Sequence, residues 1–357
     1  ATPGADGAAL ALRSWARTLC GGHGVPLRRS WCTSGSVAAM SDPADTINER
    51  LDQLLAESDP ASTDPVAFRG RQYDLGLAWV HFPAGWGGLG VSPTHQREVE
   101  RRLRVAGAPP PELAMFFGLT MAGPTVVTHG SDELRGRLLR RMFTGEDAWC
   151  QLFSEPGAGS DLAGLSTRAE RDGDEFIVNG QKVWCSGGRV SEWGILMART
   201  DPVAPKHAGI SFFLCPMDLD GIEVRPLKQM TAEAEFDEVF FTEVRLPAEH
   251  LLGPLNGGWQ VCMSVLTNER GHIGTSIIGL ERRLAQMTAL AEGRTLGPTD
   301  RQALMQLYSR GVALKSLAQR QGPVASTAAS LLKLGITEMM FDMAMLRGDL
   351  TGAGAML

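Results

Sequence analysis

The hydrophobic period of this chain changes twice along its length, and that order of patterns restricts the fold more than any single motif. From about Asp45 to Gly145 apolar residues recur at three- and four-residue spacing. Ile47, Leu51, Leu54 and Leu55 form one such stripe, and Glu112 to Val127 holds another apolar run. Ser131-Asp132-Glu133-Leu134 reads as a helix start with acids in its first turn, leading to Leu138, Leu139 and Met142. Between these, the glycine-dense stretch from Phe82 to Gly90 cannot be helix. From about Ala148 to His250 the period becomes two. Phe176-Ile177-Val178 and Lys182-Val183-Trp184 flank Asn179-Gly180, a hairpin signal because both turn positions need positive φ. Ile210 to Cys215, Ile222 to Val224 and Val239 to Val244 are further strand candidates, rich in β-branched and aromatic residues. From about Gly257 the chain is helical again, with Leu284, Leu290, Leu304, Leu307 and Leu314 marking an antiparallel bundle. Helix–sheet–helix order without alternating βαβ units argues against a doubly wound fold. The reading is a mainly α protein with a central antiparallel β domain: a helical domain over 40–147, a β domain over 148–252 and an incomplete helical bundle over 253–357.

Residues 1–39 differ in composition. They carry Arg13, Arg17, Arg28 and Arg29 against one acid, Asp6, as a transit peptide would. The plainer reading, which we favour, is a start placed too early, with Met40 the first residue. Either way this extension is predicted to be disordered. At the other end, Gly352 to Leu357 follows a helical stretch with no capping or polar tail, which reads as a chain stopped before its natural end.

Apolar residues at 43% and charged residues at 21% exclude wholesale disorder. A net charge of −6 argues against nucleic acid or anionic membrane as the main partner. No run of apolar residues is long enough to span a bilayer. The six cysteines are scattered without ligand spacing, so they read as free thiols in a reducing compartment, with no metal site. Cytoplasmic location follows, or the mitochondrial matrix if residues 1–39 are a transit peptide. The seven histidines form no H-x-x-x-H pair, and no G-x-S-x-G elbow occurs. The methionines, including Met339, Met340, Met343 and Met345, read as helix-core filler.

Gly157-Ala158-Gly159-Ser160-Asp161 is the main glycine loop. Leu162 stands where a dinucleotide fingerprint needs its third glycine, and the lysine of a P-loop is absent. What remains is either a plain β-turn or a turn whose exposed N–H groups and Ser160 hydroxyl suit a pyrophosphate. Its surroundings bear on the choice. The run from Gln151 to Leu162, leading through a strand to Asn179-Gly180-Gln181-Lys182-Val183-Trp184-Cys185-Ser186-Gly187, closely resembles the two flavin-binding segments of the acyl-CoA dehydrogenase family. Phe82-Pro83 with Gly87-Gly88-Leu89-Gly90, Gly145-Glu146, Gly257-Gly258-Trp259 and Asn268-Glu269-Arg270 match in the same order, over about Asp45 to Leu357. Gln151, Ser186 and Asn268-Glu269-Arg270 resemble bacterial, actinobacterial-type members most.

The resemblance implies an acyl-CoA dehydrogenase-like architecture, with FAD held between a helical domain, a β-barrel-like middle domain and a helical bundle. It assigns Gln151, Phe153, Ser154, Gly159, Ser160, Trp184 and Ser186 to the cofactor. Ser154 would hydrogen-bond the flavin ring, Ser160 would meet phosphate or the pantetheine arm of the substrate, Trp184 would pack near the ring and Ser186 would bond close to its N5. A hydroxyl there can stabilise reduced flavin, and an indole excludes water. In a strand without such neighbours, Trp184 would read as ordinary core. One family feature departs: where many members have Arg-Lys-Thr-Phe-Gly reaching a neighbour's FAD, this chain has Gly293-Arg294-Thr295-Leu296-Gly297.

Glu269 stands out on physical grounds alone. At 100° per residue, Cys262, Val265, Leu266, Ile273, Ile277, Leu280 and Leu284 form one stripe, and Glu269 falls inside it. A carboxylate among apolar side chains is expensive to bury and suits a general base for a weak carbon acid. The competing reading is a structural acid paired with Arg270, or a helix end splayed into solvent. The resemblance assigns Glu269 as catalytic base and Arg270 as support for the site or the acyl-CoA. It implies FAD-dependent α,β-dehydrogenation of an acyl-CoA thioester to the trans-2-enoyl-CoA, with electrons passed to an electron-transfer flavoprotein. It further implies a dimer or tetramer with itself or a paralogue. Two rivals are a flavin oxidase or monooxygenase of the same fold, and a non-catalytic truncated subunit that pairs with an active paralogue.

Overall fold

A computed structural model describes residues 42–292, 294–318 and 325–352. The extension over 1–39, with its predicted disorder, lies outside these residues. The first helical segment contains α1 (Pro43–Glu57), α2 (Pro65–Asp74), α3 (Gln96–Val105), α4 (Gly123–His129) and α5 (Asp132–Thr144). The stripe Ile47, Leu51 and Leu54 is buried against Phe68, Leu77, Val80 and Val99, so the spacing found the inward face of α1. Ser131 caps α5 by accepting from the Leu134 amide, and Gly145 ends it at φ 85°. The run from Glu112 to Val127 is less regular than its apolar pattern implied. A 3₁₀ turn (Leu113–Met115) and a π turn (Gly118–Ala122) precede α4, where Gly118 has Met142 and Trp149 too close to admit a side chain. The stretch Phe82–Gly90 is a loop, as expected, with Gly85, Gly87 and Gly90 at positive φ.

The middle of the chain is one curled seven-stranded sheet: β1 (Trp149–Leu152), β2 (Arg168–Asp172), β3 (Glu175–Ser186), β4 (Trp193–Arg199), β5 (Ile210–Pro216), β6 (Ile222–Leu227) and β7 (Phe236–Pro247). The order is β1-β4-β2-β3-β7-β6, with β5 on the other edge of β4. Most pairings are antiparallel, but β1 runs parallel to β4, with Trp149 opposite Trp193, and β2 meets β4 in parallel at a single position. The Asn179-Gly180 hairpin is corrected. β3 passes straight through it, and the hairpin joins β2 to β3 at Gly173, φ 64°. Asn179 instead lies opposite a bulge in β7, where Thr242 and Glu243 face it alone and Glu243 takes φ 52°. The Asn179 amide donates to Glu243 at 2.7 Å and its carbonyl accepts from the Glu243 N–H at 2.9 Å, replacing ladder bonds. Gly180 lies so close to Thr167 that a Cβ would sit 2.7 Å from that residue's Cα.

Strands β4 and β5 are buried on both faces. Ile195, Met197, Phe212 and Leu214 face the helical side, with Leu138, Met142, Val261 and Val265. Leu196, Ala198, Phe213 and Cys215 face the other core, with Phe176, Val178, Val244 and Leu246. Three long helices follow: α6 (Gly258–Ala291), α7 (Pro298–Ala318) and α8 (Ala325–Thr351). Gly258 opens α6 against β5, where a Cβ would come within 2.6 Å of the Phe212 nitrogen. Leu280, Leu307, Leu332, Ile336, Met339 and Met343 form the bundle core. Met340 and Met345 are exposed, so only half of the singled-out methionines fill it. Cys150, Cys185, Cys215 and Cys262 are free, buried thiols, and burial pushes Cys150 and Cys215 up to about 12. Among the described residues there is no cluster of metal-ligating groups and no helix long and apolar enough to cross a membrane.

Candidate active site

The two segments marked by sequence lie side by side. β1 carries half-buried Gln151 and ends at Leu152, and buried Phe153 packs edge-on against Phe212, 5.7 Å between ring centroids. The chain then turns. Glu155 and Ala158 exchange both backbone hydrogen bonds at 3.0 Å, leaving Pro156 and Gly157 at the exposed tip. The Val183 amide on β3 donates to the Ser154 carbonyl at 2.9 Å, which fastens this turn beside the strand that carries Trp184 and Ser186.

The glycines of the turn have no reason within the fold. Neither Gly157 nor Gly159 takes a left-handed conformation, and a Cβ on either would meet nothing within 4 Å. Their amides and that of Ser160 donate to no backbone carbonyl among the described residues. Glycine there leaves the outer face open for a ligand to approach the backbone closely. Gly159 and Ser160 are exposed, and Ser154 is half-buried.

Trp184 follows Val183 on the strand fastened to this turn. Its backbone sits at φ 62°, a left-handed conformation that an L-residue with a large side chain rarely takes. The register of β3 against β7 slips between Lys182 and Cys185, so this strain lies in a second bulge. The indole is 56% exposed and is backed edge-on by Phe236 at 5.6 Å. Ordinary core packing, the bland expectation for Trp184, is thereby set aside. Strain of this kind persists where surrounding structure enforces it and gathers at functional sites. Ser186, half-buried, lies opposite Phe236 at the end of the same strand.

Between the turn and β3 is a buried ion pair that sequence inspection passed over. Lys182 Nζ lies 2.8 Å from Glu155 Oε1 and 3.1 Å from the Phe153 carbonyl. Glu155 also accepts from the Ser166 amide and hydroxyl, both at 2.7 Å, and from the Thr167 amide at 2.9 Å. Burial alone would raise this carboxyl, but the Lys182 ammonium and these donors hold it down at about 2. A signal existed: the alternation that buries Phe176 and Val178 puts Lys182 on the inward side of β3.

Glu269 lies on α6, one turn after buried Val265. Its side chain is 26% exposed, neither sunk in the core nor free in water. Lys333, from α8, donates to Oε1 at 2.7 Å. The partner is thus a lysine from another helix, and the Arg270 side chain lies outside the described residues, as do those of Ile273 and Ile277. Burial pushes the Cys262 thiol up to about 12, and the Glu269 carboxylate adds to that shift. The Lys333 contact joins residues 64 apart in sequence and left no local trace.

Comparison with known proteins agrees with this architecture. The model of the acyl-CoA dehydrogenase N-terminal domain matches residues 41–146, and that of the acyl-CoA dehydrogenase middle domain matches 150–244. Acyl-CoA dehydrogenase IpdE1 of Mycobacterium tuberculosis is 39% identical over 264 residues, covering 72% of this chain and 68% of that protein. Acyl-CoA dehydrogenase FadE34 of the same organism is 44% identical over 202 residues, which is 57% of this chain but only 28% of that protein. Among solved structures, the steroid acyl-CoA dehydrogenase Tcur3481-Tcur3483 superposes with a TM-score of 0.67 at 27% identity, over 88% of this chain and 87% of that one. The chain belongs to the acyl-CoA dehydrogenase family, whose members are flavoprotein oxidoreductases. Its sequence is of the actinobacterial type.

Proposed function

We propose that this chain catalyses the FAD-dependent α,β-dehydrogenation of an acyl-CoA thioester, giving the trans-2-enoyl-CoA. The observation that carries the reading is the pairing of a strained, solvent-presented Trp184 indole with a turn whose glycines are needed by no contact inside the fold. The residues present fit a flavin: an exposed indole for the ring, the Ser154 and Ser186 hydroxyls for its polar edge, Gln151 and Phe153 along the run beside it, and the open turn at Gly159 and Ser160 for an anionic tail.

When bound, FAD supplies the acceptor for the hydride that leaves the β-carbon. Everything else falls to the chain. The thioester acidifies the α-proton, and the Glu269 carboxylate removes it as general base. The proton passes to Glu269, and the electron pair of the broken C–H bond becomes the new double bond. The Trp184 indole shields the reacting face from water. Ser160 holds phosphate or the pantetheine arm, and Arg270 supports the acyl-CoA at the site. Lys333 engages Oε1 of Glu269 and fixes how the carboxylate is presented. Electrons then leave to an electron-transfer flavoprotein. Assembly as a dimer or tetramer, with a second copy or with a paralogue, belongs to the same reading. Cytoplasmic location fits the bacterial relatives.

Anaerobic titration of the FAD-loaded protein with a panel of acyl-CoA thioesters tests this. Bleaching of the oxidised flavin band by at least one thioester is expected. A fully loaded protein that no thioester bleaches would reject the dehydrogenase reading. Peroxide formed stoichiometrically under air would move it to the oxidase alternative.

A further inference from the structure

A lysine with no exposed side-chain surface is costly to fold around, so the Lys182–Glu155 pair calls for a reason. Stability alone does not supply one, because well-packed apolar residues of the same volume serve as well or better. Its geometry supplies another. The ammonium holds the Phe153 carbonyl and the Glu155 carboxylate, at the entrance of the turn. The carboxylate reaches on to the Ser166 and Thr167 amides, where the same loop returns to the sheet. Lys182 itself lies two residues before Trp184, at the edge of the bulge that turns the indole outward. One buried pair therefore ties both ends of the loop to the strand bearing Trp184.

We infer that Lys182 and Glu155 form a clasp that sets the spacing between the Ser154–Ser160 turn and the Trp184 bulge, and so preorganises the proposed cofactor site. Both are positioning residues and act through the backbone that they hold. The inference rests on the proposed flavin site only for the identity of the ligand.

The test uses the double variant Glu155→Gln with Lys182→Met, which removes both charges, keeps an acceptor for the Ser166 amide and hydroxyl at the Oε2 position while the Thr167 amide loses its Oε1 acceptor, and keeps the volume of the lysine stem. Three quantities are read: the urea unfolding transition, the FAD dissociation constant, and hydrogen exchange in FAD-free protein at the Ala158 and Val183 amides. Those two amides bond to the backbone carbonyls of Glu155 and Ser154, so neither loses its own partner in the variant. A clasp predicts that the variant still unfolds in one cooperative urea transition, with exchange at least tenfold faster at both amides and FAD binding at least tenfold weaker. Unchanged exchange overturns the inference whatever the FAD affinity, and faster exchange with unaltered FAD affinity overturns it too. Should the double variant not fold, Ser166→Ala removes one donor from an exposed residue. FAD binding weakened threefold or more then supports the clasp, and unchanged binding overturns it. Wild-type protein that binds no FAD rejects the functional reading, while the exchange measurement still decides whether the clasp orders the loop.

Discussion

Replacing Trp184 by glycine and, separately, by alanine should invert the usual ranking of those two residues in a strand. Glycine inside a strand normally stands about 0.5–1 kcal/mol below alanine because it loses more backbone freedom on folding. At φ 62° the balance changes. A left-handed backbone costs an L-residue about 1–2 kcal/mol, and glycine escapes that penalty. Loss of the half-exposed indole and of its edge contact with Phe236 is common to both variants and cancels. Glycine should therefore equal alanine or exceed it by up to about 1.5 kcal/mol. Urea denaturation with a shared slope measures the difference directly. Both variants should bind FAD about tenfold more weakly, since an aromatic contact of this kind is worth roughly 1 kcal/mol or more. An alanine variant more stable than the glycine variant by about 0.5 kcal/mol would refute the reasoning, because the bulge would then hold no strain.

Three further outcomes follow from the same geometry. Glu155 stays ionised in the folded chain down to about 2, whereas an unfolded glutamate takes its proton near ~4.3, so its stabilisation is full above that upper value and is lost as the pH falls through the window. Urea unfolding between pH 6 and 2.5 should show a steeper decline for wild type than for Glu155→Gln with Lys182→Met, and equal slopes would contradict the pairing. Lys333→Ala should lower stability by less than about 1 kcal/mol, because both partners of the Glu269 pair are partly exposed and screened; a loss above about 2 kcal/mol in a urea melt would contradict that exposure. Gly88→Ala should destabilise by about 1–3 kcal/mol, since its Cβ would press on the Phe82 and Trp79 backbone carbonyls, whereas Gly159→Ala, in open space, should stay within about 0.5 kcal/mol and weaken FAD binding.

What the sequence disclosed followed the reach of each signal. Periodicity located α1, α5 and the long C-terminal helices because their buried faces repeat with the helical turn. It found β5 from its β-branched and aromatic run but passed over β4, whose Gly194 to Ala198 segment is buried on both faces and so shows no alternation. Asn179-Gly180 misled for a definite reason: the same pair also suits the strand facing a bulge, because Gly180 passes close to Thr167 and Asn179 bonds the bulged Glu243 of β7. The two candidate cofactor segments stood out as ordered motifs, yet the conformation that gives Trp184 its exposure did not, since positive φ at a tryptophan has no sequence signature. The partner of Glu269 was hidden as well. Lys333 follows buried Leu332 on α8, and nothing local in either helix announces the pairing.

The central claim is that Glu269 removes the α-proton. The direct measurement is the absorbance of FAD-loaded Glu269→Gln on anaerobic addition of a thioester that bleaches the wild-type protein. The account predicts an unaltered oxidised flavin spectrum before addition, and bleaching slowed by at least a thousandfold afterwards. That factor is about 4 kcal/mol of lost transition-state stabilisation. Bleaching at the wild-type rate would contradict it and assign the proton to a different group.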